Sequence, residues 1–226
     1  MVILRTVHVA SFMSIGLKAE YRSDEVDIQK YFFAPCYSMC AEYDRCVEYL
    51  SIDTLTTIFG TYDNFRRGRA KMRIVTGHKF RPVDLDLLVV LLSKSRNPFE
   101  RRNIRDDKIR LVRRAFERGQ IELKIAISNS QMIDGSIPER LGIFRDSRGH
   151  AVAYISSAKS SFGMKGGRFE SIDVYTSWGD AGRVRRKKMA FENLWRNKMP
   201  YTDVYEFEHA AQKGFLKYWT DWVVHE

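Results

Sequence analysis

Apolar and polar positions along this chain repeat with two different periods. The clearest strand pattern lies over 70–76. Met72, Ile74 and Thr76 fall on one side and Lys71, Arg73 and Val75 on the other, the period of two that a strand requires. Gly77 ends it. Similar runs predict strands over 3–9, 43–50, 121–127, 141–144, 151–155 and 171–176. Ser147-Arg148-Gly149 supplies turn chemistry between two of them, so 141–144 and 151–155 are predicted to form a hairpin.

The helical period appears between these runs. Over 107–118, Ile109, Val112 and Phe116 share one stripe while Arg110, Arg113 and Arg114 lie away from it, and Gly119 suits a helix end. Pro82 stands where a helix can start, because a first-turn residue has no N–H bond to lose. The segment after Pro82 is apolar nearly all round, which predicts burial. Ser51 or Asp53 can cap a helix to about Phe59, and Asp180 one to about Asn197. A short helix is predicted over 27–33, ended by Pro35, and 204–222 reads as mostly helical. Residues 96–105 read as a basic loop. Strands alternating with helices predict an α/β fold with helices on both faces of a mixed, mostly parallel sheet, the hairpin making it mixed.

The 226 residues suit one domain with appendages. The expected division is 1–29 as an N-terminal strand and lead-in, 30–200 as the domain, and 201–226 as a helical extension. No apolar run approaches the roughly 18 residues that span a bilayer. Arg5 and His8 interrupt the apolar N-terminus and no small-residue cleavage site follows, so a cytoplasmic protein without a secretory leader is expected. Cys36, Cys40 and Cys46 are an odd number, which argues against a disulfide framework. Cys36 and Cys40 could share a helix face, but no further His or Cys pair nearby completes a zinc set. All three read as small buried hydrophobes. No metal and no cofactor is expected.

Charge sharpens the picture. The net charge is +10 and the pI near 9.6. Residues 20–63 carry nine acids and three bases, a net of −6. Residues 96–118 carry nine bases and four acids, a net of +5, and 183–198 seven bases and one acid, a net of +6. Such segregation fits a face that meets a polyanion, chiefly nucleic acid. Arg183, Arg185, Arg186, Lys187 and Lys188 lie on one predicted helix with no acid between Arg183 and Ala190, so they repel one another unless an anion joins them.

Tyr43-Asp44-Arg45-Cys46-Val47-Glu48, Arg69-Ala70-Lys71-Met72-Arg73-Ile74 and Arg118-Gly119-Gln120-Ile121-Glu122-Leu123 fall in an order that resembles the phospholipase D-like nuclease superfamily, closest to the domains at the N-terminus of some bacterial helicases. The fullest block runs from Pro138 to Trp195, with Leu141-Gly142-Ile143-Phe144-Arg145-Asp146 and Phe169-Glu170-Ser171-Ile172-Asp173-Val174 matching the family's catalytic hairpin and the strand after it. The resemblance covers roughly residues 30–215.

The departures from that family bear on function. An active member carries histidine two residues before lysine at the start of the hairpin. The histidine attacks phosphorus and the lysine holds phosphate charge. Here those positions are Pro138 and Arg140. Proline offers no nucleophile, whereas arginine keeps the cation and can grip phosphate with two N–H groups. In the family's second polar cluster Ser157 persists, and Lys159 or Ser160 stands in the place of an amide or acid. The resemblance thus implies a pseudonuclease that binds nucleic acid, DNA before RNA, without cutting it. Arg140, Lys159, Lys165 and Arg168 would line the former site, and Arg183, Arg185, Arg186, Lys187 and Lys188 would meet the backbone. It also implies a homodimer, since the family builds its site from two such halves, and a setting in phage or bacterial defence. Two rival readings stand beside it. One is an active metal-independent nuclease with a rearranged site. The other is a module that binds a protein partner such as a helicase or host factor.

Of the five histidines, none precedes a lysine by two residues, and no Ser-His-Asp arrangement is evident in the sequence. His78 follows Thr76-Gly77 at a strand end, where α/β sheets often place functional groups. Gly163-Met164-Lys165-Gly166-Gly167-Arg168 is basic and glycine-rich but lacks P-loop spacing.

Overall fold

The computed structural model describes residues 11–92, 106–129, 137, 139–157 and 169–219. The strands are β1 (Glu20–Arg22), β2 (Glu42–Val47), β3 (Lys71–Gly77), β4 (Lys79–Phe80), β5 (Ile121–Ser128), β6 (Leu141–Arg145), β7 (Ala151–Ser156), β8 (Ser171–Thr176), β9 (Thr202–Glu206) and β10 (Lys217–Tyr218). The helices are α1 (Ala34–Met39), α2 (Ile52–Thr61), α3 (Asp63–Arg66), α4 (Pro82–Leu92), α5 (Asp107–Glu117), α6 (Ala181–Trp195) and α7 (Phe207–Gln212). The predicted strand at 3–9 and the basic loop at 96–105 lie outside the described residues.

One large sheet runs in the order β1-β8-β7-β6-β2-β3-β5-β9, and β10 pairs with β4 separately. Within the large sheet β2–β3 and β3–β5 are parallel. The pairs β1–β8, β8–β7, β7–β6, β6–β2 and β5–β9 are antiparallel. The sheet is mixed, as expected, but mostly antiparallel rather than mostly parallel. A parallel pair needs a crossover long enough to return the chain to the same end. The connections holding α2 and α3, and α4 and α5, provide that, whereas β6 to β8 meander back and forth.

Helices cover both faces. Strands β2, β5, β6, β7 and β8 place Tyr43, Val47, Leu123, Phe144, Tyr154 and Ile172 in one core with Phe32, Tyr37, Leu55 and Val112. The opposite face places Cys46, Val75, Ala126, Ile143 and Ala153 in a second core with Val184, Phe191 and Leu194 of α6. This is why β2 is buried at five successive positions, Tyr43 to Val47. The first core is aromatic at its centre: Tyr43 stacks on Phe144 at 4.3 Å, and Tyr37 meets Phe144 edge-on at 5.2 Å. Cys36, Cys40 and Cys46 are buried free thiols, which burial pushes up from the usual thiol range.

Three local expectations need correction. Pro35 does not end a helix. Gln29–Phe33 forms a π-helical turn that runs directly into α1, placing Pro35 in the first turn of the α segment, where the missing N–H is tolerated. Within the predicted helix over 204–222, the described residues 204–219 are not mostly helical. Thr202–Glu206 adds a strand antiparallel to β5, α7 is short, and Lys217–Tyr218 pairs with β4. Helix α4 is not buried all round, since Val83 and Val89 are exposed beside buried Leu85, Leu88 and Leu91. The two flanking segments both join the large sheet, β1 against β8 and β9 against β5.

Candidate nucleic-acid interface

The parallel strands β2, β3 and β5 set one rim of the sheet at their C-terminal ends. The antiparallel register brings the start of β6 and the end of β7 to the same rim, Leu141 lying opposite Ile155. Arg140 and Ser157 therefore meet. The Ser156 N–H donates to the Arg140 carbonyl at 3.0 Å, and Arg140 Nη1 reaches the Ser157 carbonyl at 3.3 Å. Ser157 Oγ accepts from the Ser171 N–H at 2.9 Å, which ties the end of β7 to β8. Beside them the Ile137 N–H donates to Glu48 Oε2 at 3.3 Å. The two family positions that fall within the described residues are thus neighbours. Pro138, Lys159, Lys165 and Arg168 lie outside the described residues.

Helix α6 starts after Asp180, whose side chain accepts from the Arg183 N–H. Val184, Phe191 and Leu194 turn inward. The five cations that the sequence groups together separate around this helix. Arg183 pairs with Asp180 at 3.3 Å and lies 4.6 Å above the Tyr175 ring. Lys187 is ion-paired with Glu139, the neighbour of Arg140, so this flank of α6 borders the rim. Lys188 lies on the other flank. Burial pulls its ammonium down from the usual lysine range and Arg145 adds to that, while Asp44 and Glu42 pull upward. Arg185 and Arg186 point outward, exposed, with no acidic partner among the described residues. Met189, Asn193 and Arg196 continue the same exposed stripe at helical spacing.

The Lys188 flank borders a network absent from the sequence reading. Asp44, 2% exposed, accepts from Arg73 Nε at 2.8 Å and Nη2 at 3.0 Å. It also accepts from Arg145 Nη1 at 2.7 Å. Arg145 Nε donates to Glu42 at 2.6 Å and Arg73 Nη2 to Glu192 at 2.7 Å. Arg73 also lies 4.9 Å over Phe191 and 5.3 Å over Trp195. Burial opposes the Arg73 charge, but Asp44 and Glu192 outweigh it and hold the group above its usual value. A cleft of about 430 Å³ opens beside these side chains. Glu42, Asp44, Arg73, Arg145 and Glu192 are matched to one another, so this network clamps α6 onto β2, β3 and β6. The available signal was charge at Asp44 and Arg73 within strand-patterned segments, because a charge buried there needs a partner.

Three histidines, His78, His150 and His209, lie within the described residues. His78 sits on the rim after β3, its pKa lowered by burial and by Lys217 and Lys79. His150 Nδ1 lies 3.0 Å from Ser11 Oγ and 3.2 Å from Asp146 Oδ2. One ring nitrogen serves both partners, whereas a proton relay from serine to carboxylate needs two. The trio therefore ties the segment before β1 to the hairpin turn. Among the described residues no group of three or more His, Cys, Asp or Glu could hold a metal ion. No described helix is long and apolar enough to cross a membrane.

No protein-family model and no curated protein sequence matches this chain. Similar solved structures include yeast tyrosyl-DNA phosphodiesterase, with a TM-score of 0.39 and 9% identity, covering 61% of this chain and 26% of that one. A mutant form of that enzyme gives a TM-score of 0.37 and 8% identity, covering 61% and 25%. This chain spans about a quarter of the length of those structures. A likeness this loose carries no argument about what the chain does.

Proposed function

We propose that the chain binds nucleic acid through the phosphate backbone and does not cut it. The observation that carries this is the outward stripe of α6, where Arg185 and Arg186 are exposed and lack an acidic partner among the described residues. Adjacent uncompensated cations repel each other, and a polyanion turns that cost into attraction. The paired flanks of the helix support the reading. Lys187 on Glu139 and Glu192 on Arg73 anchor α6, leaving Arg185 and Arg186 for a ligand.

The lack of cleavage is inferred from the rim. Arg140 keeps a cation beside Ser157, while Pro138 supplies no nucleophile at the position the family gives to histidine. His150 is held by two contacts on one nitrogen, and His209 stacks on Tyr205 at 5.6 Å. The resemblance favours DNA over RNA and a second copy completing the site.

The test replaces Arg185 and Arg186 together by glutamine. Binding to labelled double-stranded DNA is measured over a series of salt concentrations. Each lost phosphate contact is expected to lower the slope of log affinity against log salt by about 1. Unchanged affinity and slope would remove α6 as the interface.

A further inference from the structure

A second cationic surface lies across the sheet from α6. Helices α3 and α5 both end against the first core, at the rim where β3 and β5 begin. Their final turns converge on one notch of about 40 Å³. Phe59, Phe65, Leu111 and Ala115 form its floor and Arg66, Arg114 and Arg118 its walls. Arg67 and Arg69 follow Arg66 in the same turn, and all five arginines are exposed. Asp63 is ion-paired with Arg66 and Arg67. Nearby Glu117 is engaged by Arg113 at 3.2 Å. Arg69, Arg114 and Arg118 have no acidic partner among the described residues.

The two turns are locked together. Gln120, buried at the start of β5, donates through Nε2 to the Phe65 carbonyl at 3.1 Å and the Ala70 carbonyl at 3.0 Å. Its own N–H bonds the Ala115 carbonyl at 2.8 Å. Gly68 and Gly119 take the positive φ values of 77° and 64° that these tight turns need. The guanidinium groups on the two turns are therefore mounted on a fixed frame, which lowers the ordering cost of gripping a ligand.

Cations at a helix C-terminus are favourable on their own, because carbonyl dipoles face them. That accounts for Arg114 and Arg118 on α5. It does not account for Arg66, Arg67 and Arg69, since α3 is four residues long. The notch is a small surface depression whose walls carry guanidinium groups. Exposed guanidinium groups around it suit a phosphate diester with bidentate contacts.

We propose that Arg66, Arg114 and Arg118 form a second backbone-phosphate site, so that nucleic acid is contacted on both faces of the sheet. This rests on the nucleic-acid reading above. Arg114→Gln with Arg118→Gln is compared with the full-length wild type and with the α6 pair Arg185→Gln with Arg186→Gln, on labelled double-stranded DNA across salt. Arg114→Lys with Arg118→Lys is the charge-preserving control, and thermal melting checks that each variant is folded. The glutamine pair is expected to lower the salt slope by roughly 1.8, about 0.9 per phosphate, while the lysine pair leaves it near wild type. An unchanged slope in the Arg114/Arg118 glutamine pair, with a fall in the α6 pair, overturns this site and leaves the first reading standing. A fall in the Arg114/Arg118 pair alone supports phosphate contact at this notch but overturns the α6 interface and, with it, contact on both faces. No binding by the wild type overturns both.

Discussion

Gly142 shows how much one residue's identity can depend on a partner distant in sequence. On β6 it lies between Arg45 of β2 and Tyr154 of β7. A Cβ there would stand 2.2 Å from Tyr154 Cε1. The empty space lets the tyrosine ring lie across β6, where its hydroxyl bonds Arg45 Nη1 and the Tyr43 hydroxyl, each at 2.6 Å. Replacing Gly142 by alanine is expected to cost about 1–3 kcal/mol through overpacking, measured by denaturant unfolding; wild-type stability would contradict the close approach. Nothing local in the sequence announces this cluster, because Arg45 reads as one more charge until the register sets it beside two phenols.

Asp146 is a second such residue. Its carboxylate accepts N–H groups of Phe12, Arg148 and His150, each at 2.9 Å. Burial alone would raise its pKa, but these donors and the His150 side chain outweigh burial and hold it below the usual carboxylate range. With a folded value below the unfolded one, ionised Asp146 contributes stability above the unfolded pKa of about 3.9. That contribution is lost as pH falls through the folded value. Asp146→Asn should therefore cost about 1–3 kcal/mol near pH 7, and its gap to wild type should narrow below about pH 4. A gap constant between about pH 7 and about pH 3 would contradict the carboxylate's role.

At the scale of elements, the segments with a strong period were legible and those set by partners were not. Helix α5 keeps an apolar stripe under a basic face, and α6 has both an inward stripe and a cap, so each appears where the pattern puts it. Strand β9 does not announce itself. Thr202, Asp203, Val204, Tyr205 and Glu206 form a half-buried edge strand with a weak pattern, specified by pairing with β5. Asn197 and Tyr201 at positive φ, 55° and 65°, turn the chain from α6 into it. Strand β1 is three residues long and equally silent. The five cations of α6 share one run of sequence, yet Glu139 takes Lys187 from a distant segment and Lys188 is partly buried beside Arg145. At the helix start, Asp180→Ala removes the cap bond to the Arg183 N–H, 3.0 Å long. It should lower stability by about 0.5–2 kcal/mol and weaken DNA binding only as far as α6 frays. An unchanged unfolding midpoint would show that α6 is held by packing alone.

For the whole molecule, an α/β fold with helices on both faces follows from alternating strand and helix periods, and the hairpin follows from its turn. Strand order and direction do not, because they depend on which strands meet after each crossover. The charge pattern predicted a polyanion-binding face; folding divides those cations between two opposite faces and buries part of the acidic N-terminal third against arginines. The central claim is binding without cutting. It is tested by mixing the purified protein with labelled double- and single-stranded DNA and RNA in EDTA, at a low and a high salt concentration, and running the products on a denaturing gel. The account predicts binding that weakens steeply as salt rises, with every strand intact. Shortened strands would show that the chain is a metal-independent nuclease with a rearranged site, and absence of binding would move its function to a protein partner.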